Sequence, residues 1–460
     1  MIDNQTICAV STPLGHSGIG IVRLSGPQAV AIADRLITTS DGRPLAHQPD
    51  RRLVVGRVLD GVSLVDEVLV SVMRAPHSYT TEDVVEINCH GGIIAVRRTL
   101  ELALQNGARL AEPGEFTRRA FLGGRIDLAQ AEAVADLISA KTEAGLRAAA
   151  SQLRGKLSER ILGLRNRLAD CLAHLEATID FPEDEVPQLE GGSLSARLQQ
   201  IKLEIEELLQ NARGGVLYRD GVSTVIVGKP NVGKSSILNA ILSEPRAIVT
   251  EEPGTTRDVI VESVNLRGIA LRLCDTAGIR EPGCTIERLG VERSEQAIDE
   301  ADLVLFVIDS ANAPTAEDQR IIAKLREKPH VIVVANKADL KPDADLDPLG
   351  AHLPGRRIIR TSATAGDGIE ELEQAIFDEV TEGAAIAPEE ILVTRLRHRA
   401  ALETARAGLE NALRAQKDRL SVEFVALDVR EALDSLGEIV GAVVTDELLD
   451  RIFGEFCIGK

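Results

Sequence analysis

The chain has no tryptophan, two tyrosines and eight phenylalanines among 460 residues. So few rings argue against an aromatic platform on which single-stranded bases would stack. Long apolar runs are missing too: none approaches the ~18–20 residues that cross a bilayer. The stretch Met1-Ile2-Asp3-Asn4-Gln5 offers neither a basic region nor an apolar core, so no signal peptide is expected. Six cysteines (Cys8, Cys89, Cys171, Cys274, Cys284, Cys457) lie scattered without a C-x-x-C pair. That argues against a structural zinc site and suits a reducing cytosol, so a cytoplasmic location is expected. Basic residues are in deficit: 52 Lys and Arg face 71 Asp and Glu, for a formal charge of −19. Such a chain is not an obvious nucleic-acid binder, and any RNA contact needs a local basic patch. Two clusters qualify, Arg118 and Arg119 with Arg125, and Arg395, Arg397, His398 and Arg399. Each reads more simply as a solvated helix face.

What is present is a phosphate loop. Gly228 to Ser235 read G-K-P-N-V-G-K-S directly after an apolar run, Val222 to Val227. Glycines let the backbone wrap a phosphate with successive N–H groups pointing inward. Lys234 would reach the outer phosphates and Ser235 would hold magnesium. Asp275-Thr276-Ala277-Gly278 follows a strand-like run, Ile269 to Cys274, and suits the magnesium shell and γ-phosphate. Thr256, within Gly254-Thr255-Thr256-Arg257-Asp258, offers a second hydroxyl to the metal. Asn336-Lys337-Ala338-Asp339 follows Val331 to Ala335, and its carboxylate can accept from guanine N1 and N2, which adenine cannot supply. Ser362-Ala363 fits the loop that closes on the guanine oxygen. Four such elements in order at strand ends are not four chance turns. They define a GTPase domain over about 216–380, with β and α segments alternating around a mostly parallel sheet.

One position departs from Ras-like enzymes, where a glutamine after D-x-x-G orients the attacking water. Here it is Ile279. The next loop offers Arg280, Glu281, Glu287 and Arg288, and a carboxylate such as Glu287 could position the water. Asn231, inside the phosphate loop, could bring its amide oxygen to a monovalent cation, which would neutralise charge where an arginine finger otherwise would.

The flanks differ in texture. Residues 1–120 alternate short β-like runs (Thr6 to Val10, Gly20 to Leu24, Leu53 to Leu59, Val65 to Met73, Val84 to Asn88) with one or two helices, among them Ile93 to Gln105. Cys89-His90-Gly91-Gly92 before that helix is a tight turn or an anion site. Asp127 with Gln130 reads as a capping box. From Leu128 to Ile179 leucine and alanine recur at helical spacing without proline. Phe181 to Glu185 reads as a solvated acidic turn. Leu194, Leu198, Ile201, Ile205 and Leu208 then form one apolar stripe. Helical texture resumes from about Glu389. One helical domain, 121–215 with 381–460, is expected to carry the GTPase domain as an insertion.

These residues resemble the MnmE (TrmE) family of tRNA modification GTPases. The resemblance rests on Arg23 in G-I-V-R, Glu86 with His90-Gly91-Gly92, and Glu112-Pro113-Gly114-Glu115-Phe116-Thr117 running into Arg125-Ile126-Asp127-Leu128-Ala129-Gln130-Ala131-Glu132. It rests further on P-N-V-G-K-S, G-T-T-R-D and the terminal Phe456-Cys457-Ile458-Gly459-Lys460. It implies a multidomain α+β and α/β protein: a folate-binding-like α+β domain at 1–120, a helical bundle, and an inserted Ras-like P-loop GTPase domain. It implies GTP hydrolysis with a flavoprotein partner, MnmG (GidA), in a heterotetramer that forms an aminomethyl or carboxymethylaminomethyl group on the wobble uridine of tRNA. The N-terminal domain would make a homodimer with 5-formyl- or 5,10-methylene-tetrahydrofolate at its interface, held by Arg23, Glu86, Arg125 and Lys460. GTP would be bound through Asn231, Val232, Gly233, Lys234, Ser235 and Ser236; Thr250, Glu251, Glu252, Pro253, Gly254, Thr255 and Thr256; Asp275, Thr276, Ala277 and Gly278; and Asn336, Lys337, Asp339, Ser362 and Ala363. Potassium would lie on Asn231, Thr250, Glu252 and Thr255, magnesium on Ser235 and Thr256. Glu287 would place the water, with Lys234 on the phosphates. Cys457 is a candidate thiol for chemistry, a buried structural cysteine being the plainer reading. A ribosome-assembly GTPase that switches without modification chemistry is the alternative.

Overall fold

The structure is a computed structural model that describes residues 5–181, 193–242, 261–274, 296–381 and 393–460. The chain forms two compact units, Met1–Ala135 with Leu153–Asp170 and Arg430–Lys460, and Asp136–Gln152 with Cys171–Val429. The helical segments divide between them. No helix among the described residues is long and apolar enough to cross a membrane.

The first unit is built on a seven-stranded sheet in the order β3-β4-β5-β6-β2-β1-β7. Its strands are β1 (Ile7–Val10), β2 (Gly20–Ser25), β3 (Ile37–Thr39), β4 (Leu53–Asp60), β5 (Ser63–Met73), β6 (Val84–Cys89) and β7 (Arg109–Leu110). All neighbours are antiparallel except β1 and β7. Side chains alternate faces along a strand, and β5 shows it: Val68, Val70 and Val72 are buried while Glu67 and Leu69 face out. The buried face packs with α1 (Ala29–Leu36) and α2 (Ile93–Gln105) around Leu24, Ile32, Leu36, Val70, Ile87 and Leu102. The other face leaves Leu53, Val55 and Leu69 exposed, with Val55 and Leu69 directly paired.

After β7 comes α3 (Glu115–Leu122), a helix that the sequence reading did not single out. The end of the chain returns to it: Phe116 N–H donates to Lys460 O at 3.2 Å, and Pro113 bridges Ile458. The expected capping box opens α4 (Leu128–Ser139), with Asp127 N–H donating to Gln130 Oε1 at 3.0 Å and Gln130 N–H to Asp127 Oδ1 at 2.9 Å. Leu128 and Ala131 pack with Leu449, Ile452 and Phe453 of the helix Asp446–Gly454.

In the basic cluster at 118–125 the solvated-face reading fails for Arg119, while Arg118 is half-buried and Arg125 exposed. Arg119 is 4 % exposed and bound by Glu82 at 3.0 Å and Glu115 at 2.8 Å. Glu115 also takes Arg109 at 2.6 Å and the Glu112 N–H at 2.9 Å. Burial opposes its ionisation, yet Arg109, that N–H and Arg119 together hold its carboxyl below the ordinary glutamate value. The plain reading of Cys457 as buried fails too: it is exposed, whereas Cys8, Cys89 and Cys171 are buried, all four free. Burial pushes the Cys8 thiol up to about 12 and the Cys89 thiol to about 11, so neither is a nucleophile at neutral pH.

The second unit holds a six-stranded sheet in the order β13-β12-β11-β8-β10-β9. The strands are β8 (Val222–Val227), β9 (Val261–Leu266), β10 (Ile269–Cys274), β11 (Leu303–Asp309), β12 (Val331–Asn336) and β13 (Arg357–Arg360). All pairs are parallel except β9 with β10. Every residue of β12 is buried, as a strand covered on both faces requires. Ile237, Ile241, Leu372 and Ile376 close one face; Ile322, Leu325 and Leu349 close the other.

Upstream in this unit lie α5 (Glu143–Leu153), the later part of α6 (Lys156–Asp180) and α7 (Leu194–Asp220). The α7 stripe is as expected, with Leu198, Ile201, Ile205 and Leu208 buried, and it packs along the helix Leu396–Lys417. The second basic cluster is also largely inward: Arg395 and His398 are buried. Asp136 accepts Arg219 Nε at 2.8 Å and Arg395 Nη2 at 2.7 Å. One buried carboxylate therefore grips the chain where it enters the sheet and where it leaves. The acidic turn after Phe181 lies outside the described residues.

Candidate nucleotide site

A parallel sheet presents its ligand site beyond the carboxyl ends of its strands. In the second unit β8, β12 and β13 end in the three loops that the sequence singled out. After β8, Gly228 adopts φ 152° and Gly233 φ 98°, a region that side chains disfavour. Space forbids a side chain as well: a Cβ on Gly228 would meet Val307 O at 2.2 Å, and one on Gly233 would meet Asn336 Nδ2 at 2.2 Å. Asn231 sits at φ 64°, a left-handed conformation that asparagine tolerates better than most residues. The loop then feeds α8 (Lys234–Leu242). The Lys234 ammonium donates to Gly228 O at 2.7 Å and Lys229 O at 2.9 Å, so the loop's own carbonyls hold it at the turn. Ser235 and Ser236 are exposed and Val232 is buried.

Asn336 ends β12, 2 % exposed, and ties two loops together. Its Nδ2 donates to Val232 O at 2.9 Å, and its Oδ1 accepts the Ala363 N–H at 3.1 Å. Lys337, at φ 64°, donates to Asp309 Oδ2 at 2.9 Å. Burial works against the Asp309 anion, but Lys337 and the Ala311 N–H hold its carboxyl below the ordinary aspartate value. Asp339 is exposed, with one oxygen accepting the Ser362 hydroxyl at 2.7 Å. The structure thus brings Asn231 to Ser236, Asn336, Lys337, Asp339, Ser362 and Ala363 to one end of the sheet. Such a site can cradle a phosphate at one side and present a carboxylate to a base at the other. Thr250 to Thr256, Asp275 to Gly278 and Glu287 lie outside the described residues. The sequence reading missed Asp309 and Asp318, the partners of Lys337 and Lys229. Asp309 could have been found as the acid that ends the apolar run Leu303 to Ile308.

The first unit gathers the other four singled-out residues. Arg23 Nε and Nη2 each lie 2.8 Å from Glu86 Oε1, on directly paired positions of β2 and β6. Arg23 Nη1 donates to Gly459 O at 3.3 Å, which places Lys460 beside it. The guanidinium stands 5.9 Å from the Tyr79 ring centroid and 5.6 Å from that of Phe116. Arg125 lies 5.0 Å from the Tyr79 ring and donates to Tyr79 O at 2.9 Å. Tyr79, unnoticed in sequence, and Phe116, quoted there only as part of a motif, are the flat walls of this cluster; the scarcity of aromatics was the signal that could have marked them. In the turn after β6, Asp66 accepts both His90 Nδ1 at 2.6 Å and the His90 N–H at 2.8 Å. No group of three or more His, Cys, Asp or Glu among the described residues could hold a metal ion.

The chain matches the family described as GTP-binding protein TrmE N-terminus over residues 6–125, and the MnmE helical domain over 128–457. It is 49 % identical over 463 residues to the tRNA modification GTPase MnmE of Geobacillus thermodenitrificans, covering 100 % of both chains. It is 46 % identical over 459 residues to that of Bacillus subtilis, covering 99 % of this chain and 100 % of the other. Among solved structures, the G domain of the T. maritima FeoB iron transporter covers 34 % of this chain and 98 % of its own, at 27 % identity and a TM-score of 0.27, too low to bear on the arrangement. By two successive family matches and a full-length likeness of nearly one residue in two, the chain belongs to the family of tRNA modification GTPases MnmE.

Proposed function

We propose that this chain hydrolyses GTP in the course of tRNA modification. The observation that carries the reading is the convergence of the phosphate loop, the Asn336–Asp339 loop and the Ser362–Ala363 loop at one end of a parallel sheet, tied by Asn336. Asp339 reads guanine and Lys234 meets the phosphates. Ser235, an exposed hydroxyl at the loop mouth, suits a hard cation, and with Thr256 would hold magnesium. Asn231, Thr250, Glu252 and Thr255 would hold potassium, and Glu287 would position water where Ile279 cannot. The segments 250–256 and 275–278 would complete the site around the γ-phosphate. In this reading the chain divides into 1–120, a helical domain of 121–215 with 381–460, and a GTPase domain of 216–380.

The finer reading assigns the first unit to a folate. Arg23 with Glu86, walled by Tyr79 and Phe116, fits a flat heteroaromatic ring with donor and acceptor edges. Arg125 and Lys460 would add positive charge for the folate tail. A methylene-tetrahydrofolate would supply the one-carbon unit placed on C5 of the wobble uridine, with MnmG as flavoprotein partner. The exposed pair Val55 and Leu69, with Leu53 beside them, supports a homodimer through this domain.

Mass spectrometry of tRNA nucleosides tests the function. Cells lacking the gene are expected to lose C5-modified wobble uridine; the wild-type gene restores it and Glu287→Ala does not. An unchanged profile, with no redundant gene, would favour the ribosome-assembly alternative. For the cation, GTP hydrolysis by the purified chain is expected to slow in sodium relative to potassium, and equal rates would remove the potassium site.

A further inference from the structure

We propose that Lys229 and Asp318 form a positioning pair that holds the phosphate loop in its nucleotide-receiving shape and so sets the affinity for GDP and GTP alike. The proposal rests on the reading of this loop as the GTP site.

Lys229 is the second residue of the loop, and its two ends face different ways. Its carbonyl is one of the two that hold the Lys234 ammonium. Its side chain leaves the loop and reaches Asp318 Oδ2 at 2.9 Å. Asp318 is 1 % exposed and belongs to the helix Ala316–Leu325, where it completes a capping box with Thr315. The same Oδ2 accepts the Thr315 N–H at 2.7 Å and the Thr315 hydroxyl at 2.8 Å. The other oxygen, Oδ1, is buried with no hydrogen-bond partner among the described residues. A carboxylate so placed is a poor device for stability, because desolvating a charge costs about as much as pairing it returns. A capping box alone needs no lysine. Burial resists the Asp318 charge, and the Thr315 N–H and Lys229 hold its carboxyl below the ordinary aspartate value all the same. The lysine therefore meets a full negative charge.

The tether matters because the loop is not in a relaxed conformation. Three of its residues, Gly228, Asn231 and Gly233, have positive φ. Anchors must keep it there. Gly228 lies against Val307 O, and Val232 O takes Asn336. Between those two points only the Lys229 side chain binds the loop to a neighbouring element, among the hydrogen bonds of the described residues. The receiving helix is itself fixed, with Ile322 and Leu325 buried against Phe306. Without the pair, the peptide carrying the Lys229 carbonyl is free to turn, and Lys234 loses a fixed partner. Both nucleotides share the phosphates that this peptide surrounds, so both affinities fall together. The carboxylate proposed to position water, Glu287, lies outside this loop, so affinity is expected to fall further than the rate at saturating GTP.

The test uses the full-length chain with a fluorescent GDP and a non-hydrolysable GTP analogue. Lys229→Met is expected to weaken both by roughly tenfold to a hundredfold, the scale of a small misplacement of a binding group. Its turnover at saturating GTP is expected to fall less than its affinity, since binding lost equally from ground and transition states spares kcat. Lys229→Arg is expected to restore affinity. Because Asp318 also caps its helix, Asp318→Asn serves only for coupling: added to Lys229→Met it is expected to weaken binding little further. Unchanged affinity in Lys229→Met overturns the proposal. So does a lowered nucleotide-free melting midpoint with unchanged Kd, which would make the pair a structural bridge. Wild-type chain that binds neither nucleotide would instead refute the site itself.

Discussion

Asp339→Asn is expected to weaken GTP binding by roughly 10²–10⁴-fold, from one charge-assisted hydrogen bond, about 1.5–3 kcal/mol, lost to a donor–donor clash that adds its own cost, and a second that loses its charge. In the proposed site one carboxylate accepts from both N1–H and the N2 amino group of guanine. An amide presents one acceptor and one donor. Its oxygen still takes N1–H, but its NH₂ now points at the guanine amino group, donor against donor. Xanthine carries a carbonyl at that position, so xanthosine triphosphate is expected to gain what GTP loses. The setting favours a clean exchange: Asp339 is exposed, and its one described partner is the Ser362 hydroxyl at 2.7 Å, which can donate to an amide oxygen equally well. Competition binding with GTP, xanthosine triphosphate and ATP reads the result. Undiminished GTP affinity would mean that the base lies elsewhere.

Arg119→Met is expected to cost about 3–5 kcal/mol, the penalty for removing one member of a buried, hydrogen-bonded charge set. The methionine keeps much of the volume, so packing loss contributes little. What disappears is the cation between Glu82 and Glu115. Urea unfolding followed by circular dichroism measures it, with a lower midpoint at unchanged slope as the expected result. The pH dependence carries the same signature. A carboxyl whose folded value is depressed adds stability that is present above the ordinary glutamate range and is lost as pH falls through the lowered value. Glu115 is such a group. In Arg119→Met its folded value rises, so the acid-side loss is expected to shrink and to end at higher pH. A variant as stable as wild type would show that Arg119 contributes no more than an exposed arginine.

That arginine marks the boundary of what the sequence discloses. Features coded within a few residues are legible. The Asp127–Gln130 box makes both of its bonds, α2 has the expected bounds, and β8 runs from Val222 to Val227. The loops after β8, β12 and β13 could be placed because each follows an apolar run and carries its own motif. Charge pairing across distance leaves no such trace. Arg119 meets Glu82 from 37 positions away and Lys229 meets Asp318 from 89. In a list of residues these look like any solvated charges, since nothing local says that the helix face beneath Arg119 is turned inward. The same holds for Tyr79 and Phe116, which pack with Ile7, Ala9 and Ala111 and so meet at Arg23 from distant parts of the chain.

The grip of Asp136 has a consequence for the ribosome as it makes this chain. Asp136 emerges long before its second partner: Arg395 lies 259 residues later. At about 5–20 residues per second, that is a delay of roughly 13–52 s. Throughout that interval the carboxylate holds at most Arg219, while the whole six-stranded sheet is synthesised between the two arginines. The closing bond thus forms only on a chain that has already produced its sheet, and the nascent protein spends most of that time with one of its two seams open.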